Sequence, residues 1–191
     1  SNLEKAKPYL INKVKSQKIV SLILGGPNKY YSFSNEELIR IFKKIKTNFI
    51  SDGYKAIIIP SLRTPKRIID LAINEFDSNN FVVNSVNKQA YLSALALATC
   101  IVVTCDSTSM ISEAAASGKP IFVAHMGSKK NNYRFKRFFQ LFREMGITRE
   151  LGERVQNWTY NKLDEAERIP AVSYKNLQAH QTLRYLLCRL L

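Results

Sequence analysis

The chain is poor in acid, in histidine and in cysteine, and each shortage narrows what it can be. Against 29 Lys and Arg stand only 15 Asp and Glu, a net charge of +14. That balance favours anionic partners: nucleotides, nucleic acid or the anionic face of a membrane. No aromatic-basic RNA-binding box accompanies it, so nucleic acid has the electrostatics without a motif. The two histidines, His125 and His180, are far apart and form no metal-ligand spacing. The three cysteines, Cys100, Cys105 and Cys188, are odd in number and include no C-x-x-C pair. This argues against a disulfide framework or a zinc ribbon and points to reduced structural thiols in a cytoplasmic compartment. No run of about 18 apolar residues occurs, so no transmembrane helix is expected. The opening Ser-Asn-Leu-Glu-Lys has neither a Met nor a signal-peptide pattern, as expected of a chain that begins partway through a longer protein. G-x-G-x-x-G and Walker A loops are both missing.

What is present is enough for one domain: 191 residues, 46% of them hydrophobic. The most informative stretch is 101–120. Ile101-Val102-Val103 is a buried-type strand, and Asp106, Ser107, Thr108 and Ser109 offer helix N-caps in a row. Small residues follow, then Gly118 for the C-terminal cap and Pro120 as a stop. A strand feeding a helix through such a turn leaves backbone N–H groups at the positive end of the helix dipole, a ready anion site. Glu113 lies one turn beyond, where a carboxylate can accept hydrogen bonds from a sugar diol. The plainer reading is an ordinary βα unit with Glu113 as a solvated acid.

Along the rest of the chain, strand and helix alternate. Residues 3–15 read as a short amphipathic helix interrupted or started at Pro8. Residues 19–24 are a buried-type strand running into Gly25-Gly26-Pro27-Asn28-Lys29-Tyr30-Tyr31, where paired glycines allow close backbone approach. Gly-Gly alone also fits a plain βα turn. Ser34-Asn35-Glu36-Glu37 opens a helix to about Phe49. Residues 54–60 are a second strand, ending at Arg63-Thr64-Pro65, with Thr64 expected to cap a helix to about Phe76. A short strand at 81–83 leads into a polar loop holding Asn84 and Ser85, then a helix over 89–98. After the central stretch come a strand at 121–124 and a basic helix at 132–145, whose Phe135, Phe138, Phe139 and Phe142 read as core. Residues 147–163 read as irregular and packed down by Trp158 and Tyr160; helices are expected at 164–169 and 174–191. The fold class is therefore α/β, a Rossmann-like doubly wound parallel sheet. The expected division is a linker or packing helix at 1–17, the α/β domain at 18–170 and a C-terminal helix at 171–191. Ligands in such folds sit at the C-terminal strand ends. There the candidates gather: Gly25, Gly26, Lys29, Arg63, Asn84, Ser85, Ser107, Thr108, Ser109 and Glu113.

The set Gly25 to Tyr31, Arg63-Thr64-Pro65, Val103 to Ala114 and Gly118-Lys119-Pro120 resembles the family known as mitochondrial fission proteins in plants, with many members in proteobacteria. Matches continue through Lys136-Arg137-Phe138 and Trp158-Thr159-Tyr160, so the resemblance covers about Lys18 to Ile169. That family looks like the GT-B glycosyltransferases, and the Ser112-Glu113 to Pro120 segment is similar to the donor-binding segment of the lipid II-forming N-acetylglucosaminyltransferase and of Kdo transferases. The sequence departs from the family pattern in the glycine loop, where Asn28 and Tyr30 replace a usual serine and histidine. It departs again at Ala90, which precedes Tyr91 in place of Asn-Pro, and at Thr99, where an acid is common.

The resemblance implies the C-terminal, nucleotide-sugar-binding half of a GT-B fold, most simply for a UDP-sugar. Glu113 would bind the ribose, Ser107, Thr108 and Ser109 the phosphates, Gly25, Gly26 and Lys29 the phosphates or sugar, and Asn84 and Ser85 would lie near the base. Lys29, Arg63 and the helix dipole would neutralise a leaving diphosphate, with no metal and no cofactor beyond the donor. An N-terminal acceptor domain, the usual source of the catalytic base, would precede this chain, so no catalytic residue is assigned. A cell-envelope acceptor would suit a cytoplasmic protein held peripherally on an anionic inner-membrane face. The alternative is a non-catalytic adaptor that reuses the fold to recruit a protein partner.

Overall fold

The computed structural model describes residues 2–14, 18–131, 133–152, 155 and 158–161. The helices expected at 164–169 and 174–191 lie outside the described residues. Six strands form one sheet in the order β3-β2-β1-β4-β5-β6. They are β1 (Ile19–Leu24), β2 (Lys55–Pro60), β3 (Phe81–Val82), β4 (Cys100–Thr104), β5 (Ile121–Ala124) and β6 (Thr148–Glu150). Every pairing is parallel. All residues of β1, β4 and β5 are buried, as their almost wholly apolar runs require when helices cover both faces.

The helices follow from local sequence. Helix α3 (Asn35–Asn48) starts where Ser34 accepts the Glu37 N–H at 3.3 Å, the cap read from the sequence. It buries Leu38, Ile41, Phe42 and Ile45, spaced as one helical face. Burying one side chain such as Phe42 is worth about 1.5–3 kcal/mol. Helix α5 (Lys88–Leu97) presents Ala90, Ser93 and Ala94 inward. Their small size lets Ser21 of β1 reach the Ala94 carbonyl at 2.8 Å. The N-terminal helices α1 (Asn2–Ala6) and α2 (Pro8–Ile11) pack on α5. There the Leu10 N–H donates to Ser93 Oγ at 3.1 Å, and Ala6, Leu10 and Val14 are buried.

Two expectations need correction. Helix α4 (Lys66–Glu75) has Pro65, not Thr64, at its cap position and makes no side-chain cap bond. The Thr64 hydroxyl instead lies 2.8 Å from the Leu24 carbonyl and 2.7 Å from that of Gly25, and accepts the Ser61 N–H at 2.8 Å. It ties the end of β2 to the end of β1. The stretch 147–163 is also not wholly irregular, because β6 extends the sheet beside β5. Trp158 and Tyr160 do pack down: Trp158 meets Phe122 edge-on at 5.2 Å, and the Tyr160 hydroxyl reaches the Ala115 and Lys119 carbonyls at 3.1 and 2.8 Å.

Candidate functional site

The strand order reverses between β1 and β4, and at such a switch point the loops after the strands part to leave a crevice. Gly25 and Gly26 leave β1 here, Asp106 and Ser107 leave β4, and Arg63 leaves β2. These loops converge on one buried carboxylate. Asp106 Oδ2 accepts from Arg63 Nη2 at 2.7 Å and from the Gly26 N–H at 3.2 Å. Its Oδ1 accepts from Thr104 Oγ1 at 2.7 Å, while Thr104 accepts the Gly25 N–H at 2.8 Å. Burial pushes the Asp106 carboxyl above its ordinary value, against the opposing pull of Thr104, Arg63 and the Gly26 amide.

This arrangement explains why both loop positions are glycine. A Cβ on Gly25 would fall 2.0 Å from Asp106 Oδ1, and one on Gly26 would fall 1.8 Å from the Arg63 carbonyl oxygen. The glycine amides are committed to Thr104 and Asp106, so the pair serves the packing of three loops against each other. Asn28 completes the tie. Its Oδ1 accepts from the Tyr30 and Tyr31 N–H groups at 2.8 and 3.0 Å, and its Nδ2 donates to the Asp106 carbonyl at 3.1 Å. Beyond it, Phe33 holds a left-handed φ of 60°, fully buried, with Arg67 Nη2 on its carbonyl at 2.8 Å. Such a conformation costs a non-glycine residue about 1–3 kcal/mol, so packing and Arg67 must hold it in place.

Helix α6 (Thr108–Ala115) begins beside Asp106. Ser107 is its cap and accepts the Met110 N–H at 3.4 Å. Thr108 and Ser109 therefore occupy the first turn, where N–H groups have no partners within the helix. Glu113 is half-buried one turn on, and its Oε2 accepts a 2.7 Å hydrogen bond from the Tyr91 hydroxyl of α5. Burial, and then the Glu113 charge, push the Tyr91 phenol far up, which keeps it protonated as a donor. Lys29 is exposed, with its ammonium 5.0 Å from the centre of the Tyr30 ring. Arg63 has a half-exposed side chain that uses one guanidinium nitrogen on Asp106, in a group that carries five N–H donors. Asn84 and Ser85 are exposed on the loop leading to α5, whose Asn87 cap accepts the Ala90 N–H at 2.9 Å.

The structure thus brings Gly25, Gly26 and Arg63 together around Asp106, sets Ser107, Thr108 and Ser109 beside them, and links Glu113 to α5. The organising residues Asp106, Tyr91 and Asn28 are not among the binding candidates that the sequence offers. Asp106 was visible only as one of four cap candidates. Tyr91 was visible only as a helix-face residue, and Asn28 as a departure from a pattern. An acid two residues past the end of a buried strand, opposite a Gly-Gly, is the sequence signal for Asp106. Cys100 and Cys105 are buried free thiols, pushed up to about 12 by burial. Among the described residues no group of three or more His, Cys, Asp and Glu could hold a metal, and no helix is long and apolar enough to cross a membrane.

The chain is similar to several known proteins. It is 28% identical over 178 residues to the uncharacterized protein RP120 of Rickettsia prowazekii, covering 89% of this chain and 48% of that one. It is 29% identical over 110 residues to the mitochondrial fission protein ELM1 of Arabidopsis thaliana, covering 55% of this chain and 25% of that one. The chain thus spans about half the length of the first relative and a quarter of the second. Among solved structures, a Listeria monocytogenes protein assigned as a UDP-N-acetylglucosamine 2-epimerase superposes with a TM-score of 0.52 at 14% identity, covering 80% of this chain and 38% of that one. That likeness is one of fold and agrees with the doubly wound, GT-B-type architecture. Residues 1–174 match the sequence profile of one family throughout, and the chain belongs to that family, mitochondrial fission ELM1.

Proposed function

We propose that this chain is the nucleotide-sugar-binding domain of a GT-B-like glycosyltransferase, with a UDP-sugar as the donor class. The observation that carries the reading is Glu113: a half-buried carboxylate, one turn into the helix that opens at the β1–β4 crevice, held by Tyr91. Glu113 Oε1 and the remaining lone pairs of Oε2 would accept the ribose hydroxyls. The first-turn amides of α6 and the Ser107 to Ser109 hydroxyls would face the diphosphate, with Lys29 and Arg63 supplying positive charge. Asn84 and Ser85 would border the base. Sugar transfer would need groups outside this chain, which spans about half of its first relative. The acceptor would be an envelope component, reached from an anionic membrane face that attracts the +14 surface.

Isothermal titration with UDP, UDP-GlcNAc and a CMP-sugar tests the reading. UDP compounds are expected to bind and Glu113→Ala to weaken them at least tenfold; no nucleotide binding at all would overturn it. A second reading, protein recruitment without catalysis, is favoured by Tyr133, 73% exposed on the basic helix α7 (Tyr133–Glu144), and by the fission role in the name of the Arabidopsis relative. Loss of partner capture on charge reversal of Lys136 and Arg137, with no nucleotide affinity, would support it instead.

A further inference from the structure

A second concavity lies along the same sheet edge, beyond β5 and β6, with a cavity volume of about 620 Å³. Helical spacing places the phenylalanines of α7 in the core, but only Phe142 among them is fully buried. Phe135 and Phe139 are partly buried: Phe135 packs on Tyr30 and Tyr31 of the β1 loop, and Phe139 on Phe135 and His125. Phe135 meets Tyr31 edge-on at 5.7 Å and Phe139 at 5.9 Å, so Tyr31, Phe135 and Phe139 form an aromatic wall of the cavity. The neighbouring stripe of α7 is polar. Lys136 and Arg143, two turns apart on that helix, line the cavity, and Lys130 faces it from the β5–α7 loop.

At the floor, His125 follows β5 directly. Its Nε2 lies 3.2 Å from Glu150 Oε2, and its ring stands edge-on to Phe139 at 4.7 Å. Glu150 also lies 3.6 Å from Arg143 Nη1. The permanent charges lining the cavity are thus three cations, Lys130, Lys136 and Arg143, against the Glu150 carboxylate.

The walls are already fastened. Tyr31 and Ser128 form an antiparallel bridge, the Lys129 N–H donates to the Tyr30 carbonyl at 2.7 Å, and the Gly127 N–H donates to Glu37 of α3. Tyr31 lines this cavity, and its hydroxyl is hydrogen-bonded with Cys105, next to Asp106. A preformed pocket of a few hundred Å³ with aromatic walls and a few convergent charges is the usual form of a small-molecule site.

We infer that this cavity is a second ligand site, for a small organic anion that carries a phosphate or carboxylate on a flat ring. The ring packs on Tyr31, Phe135 and Phe139, and the anionic group meets Lys130, Lys136 and Arg143. The inference uses no residue assigned to nucleotide binding and stands whether or not the crevice holds a nucleotide. Two-dimensional ¹H–¹⁵N spectra of the whole chain, titrated with phenyl phosphate, benzoate and inorganic phosphate, test it. Phenyl phosphate and benzoate are expected to shift the amides of Gly127, Ser128, Phe139 and Arg143, the phosphate ester binding more tightly. Inorganic phosphate is expected to bind at least about fivefold more weakly than phenyl phosphate, because it leaves the aromatic wall uncovered. Lys136→Ala with Arg143→Ala is expected to weaken phenyl phosphate about tenfold, as two charge-assisted contacts are removed, while the rest of the spectrum stays that of the folded chain. Phe139→Leu, which keeps an apolar side chain, is expected to remove the preference for the aromatic ester. Shifts confined to Ser107 through Glu113, equal affinity for phenyl and inorganic phosphate, or binding unaffected by the double substitution would each overturn the assignment.

Discussion

The Tyr91 hydroxyl donates a 2.7 Å hydrogen bond to Glu113 Oε2, joining the first turn of α5 to the second turn of α6. A free glutamate samples several rotamers, and one held by a buried donor keeps its second oxygen aimed. Tyr91→Phe should therefore weaken UDP binding by roughly three- to tenfold, while the loss of one hydrogen bond lowers stability by only about 1 kcal/mol. Calorimetry and urea unfolding of the same variant measure the two effects. A change in stability with no change in nucleotide affinity would limit Tyr91 to a packing role.

Asp106 accepts three hydrogen bonds in a site where its side chain is wholly buried. Asp106→Ala should destabilise the chain by about 2–4 kcal/mol, since it strands the Gly26 amide, the Thr104 hydroxyl and part of the Arg63 charge. The pH dependence has a defined sign. The folded carboxyl holds its proton more tightly than the unfolded one, whose ordinary value is 3.8. Its contribution is thus complete below that value and falls as pH rises through the folded value. The stability gap between the native chain and Asp106→Asn should narrow as pH rises from about 4 toward 7. Urea midpoints across that range decide it, and a gap that widens with pH would contradict the assignment.

The two glycines differ in what they face, and so should their substitutions. The added methyl of Gly25→Ala meets the end of a side chain, the Asp106 carboxylate, whereas that of Gly26→Ala meets the Arg63 backbone carbonyl. Both should destabilise, Gly26→Ala by more than about 3 kcal/mol and Gly25→Ala by less. Thermal denaturation of the two variants gives the order, and the reverse order would show that the Asp106 loop is the stiffer of the two.

Tyr160 fastens the last described segment onto the end of α6: its single hydroxyl proton is shared between the Ala115 and Lys119 carbonyls, at 3.1 and 2.8 Å. Tyr160→Phe should cost about 1–2 kcal/mol. Amide exchange at Ser117 and Gly118 should rise with it, and unchanged exchange there would show that the ring alone holds the segment.

Most of the fold was legible because its strands are continuous apolar runs and its helices carry their caps. Ser34 for α3 and Ser107 for α6 act as their sequence position suggests. What escaped has physical reasons. Thr-Arg-Glu in β6 is a short edge strand held by pairing to β5, so it carries no apolar run. Thr64 looks like a cap, but two buried carbonyls at the end of β1 compete for its hydroxyl and win. Phe135 and Phe139 keep helical spacing with Phe142, yet periodicity cannot distinguish a core face from a cavity wall. Asp106 was hidden because a carboxylate turned inward looks, in sequence, like one turned outward at a helix start.

The proposed role of Glu113, accepting hydrogen bonds from a ribose diol, is tested by titrating UDP and its 2′,3′-dideoxy analogue into the native chain and into Glu113→Gln. The native chain should prefer UDP by about tenfold or more, and Glu113→Gln should lose most of that preference while staying folded. Equal affinity of the native chain for both ligands, or a preference that survives the substitution intact, would contradict it.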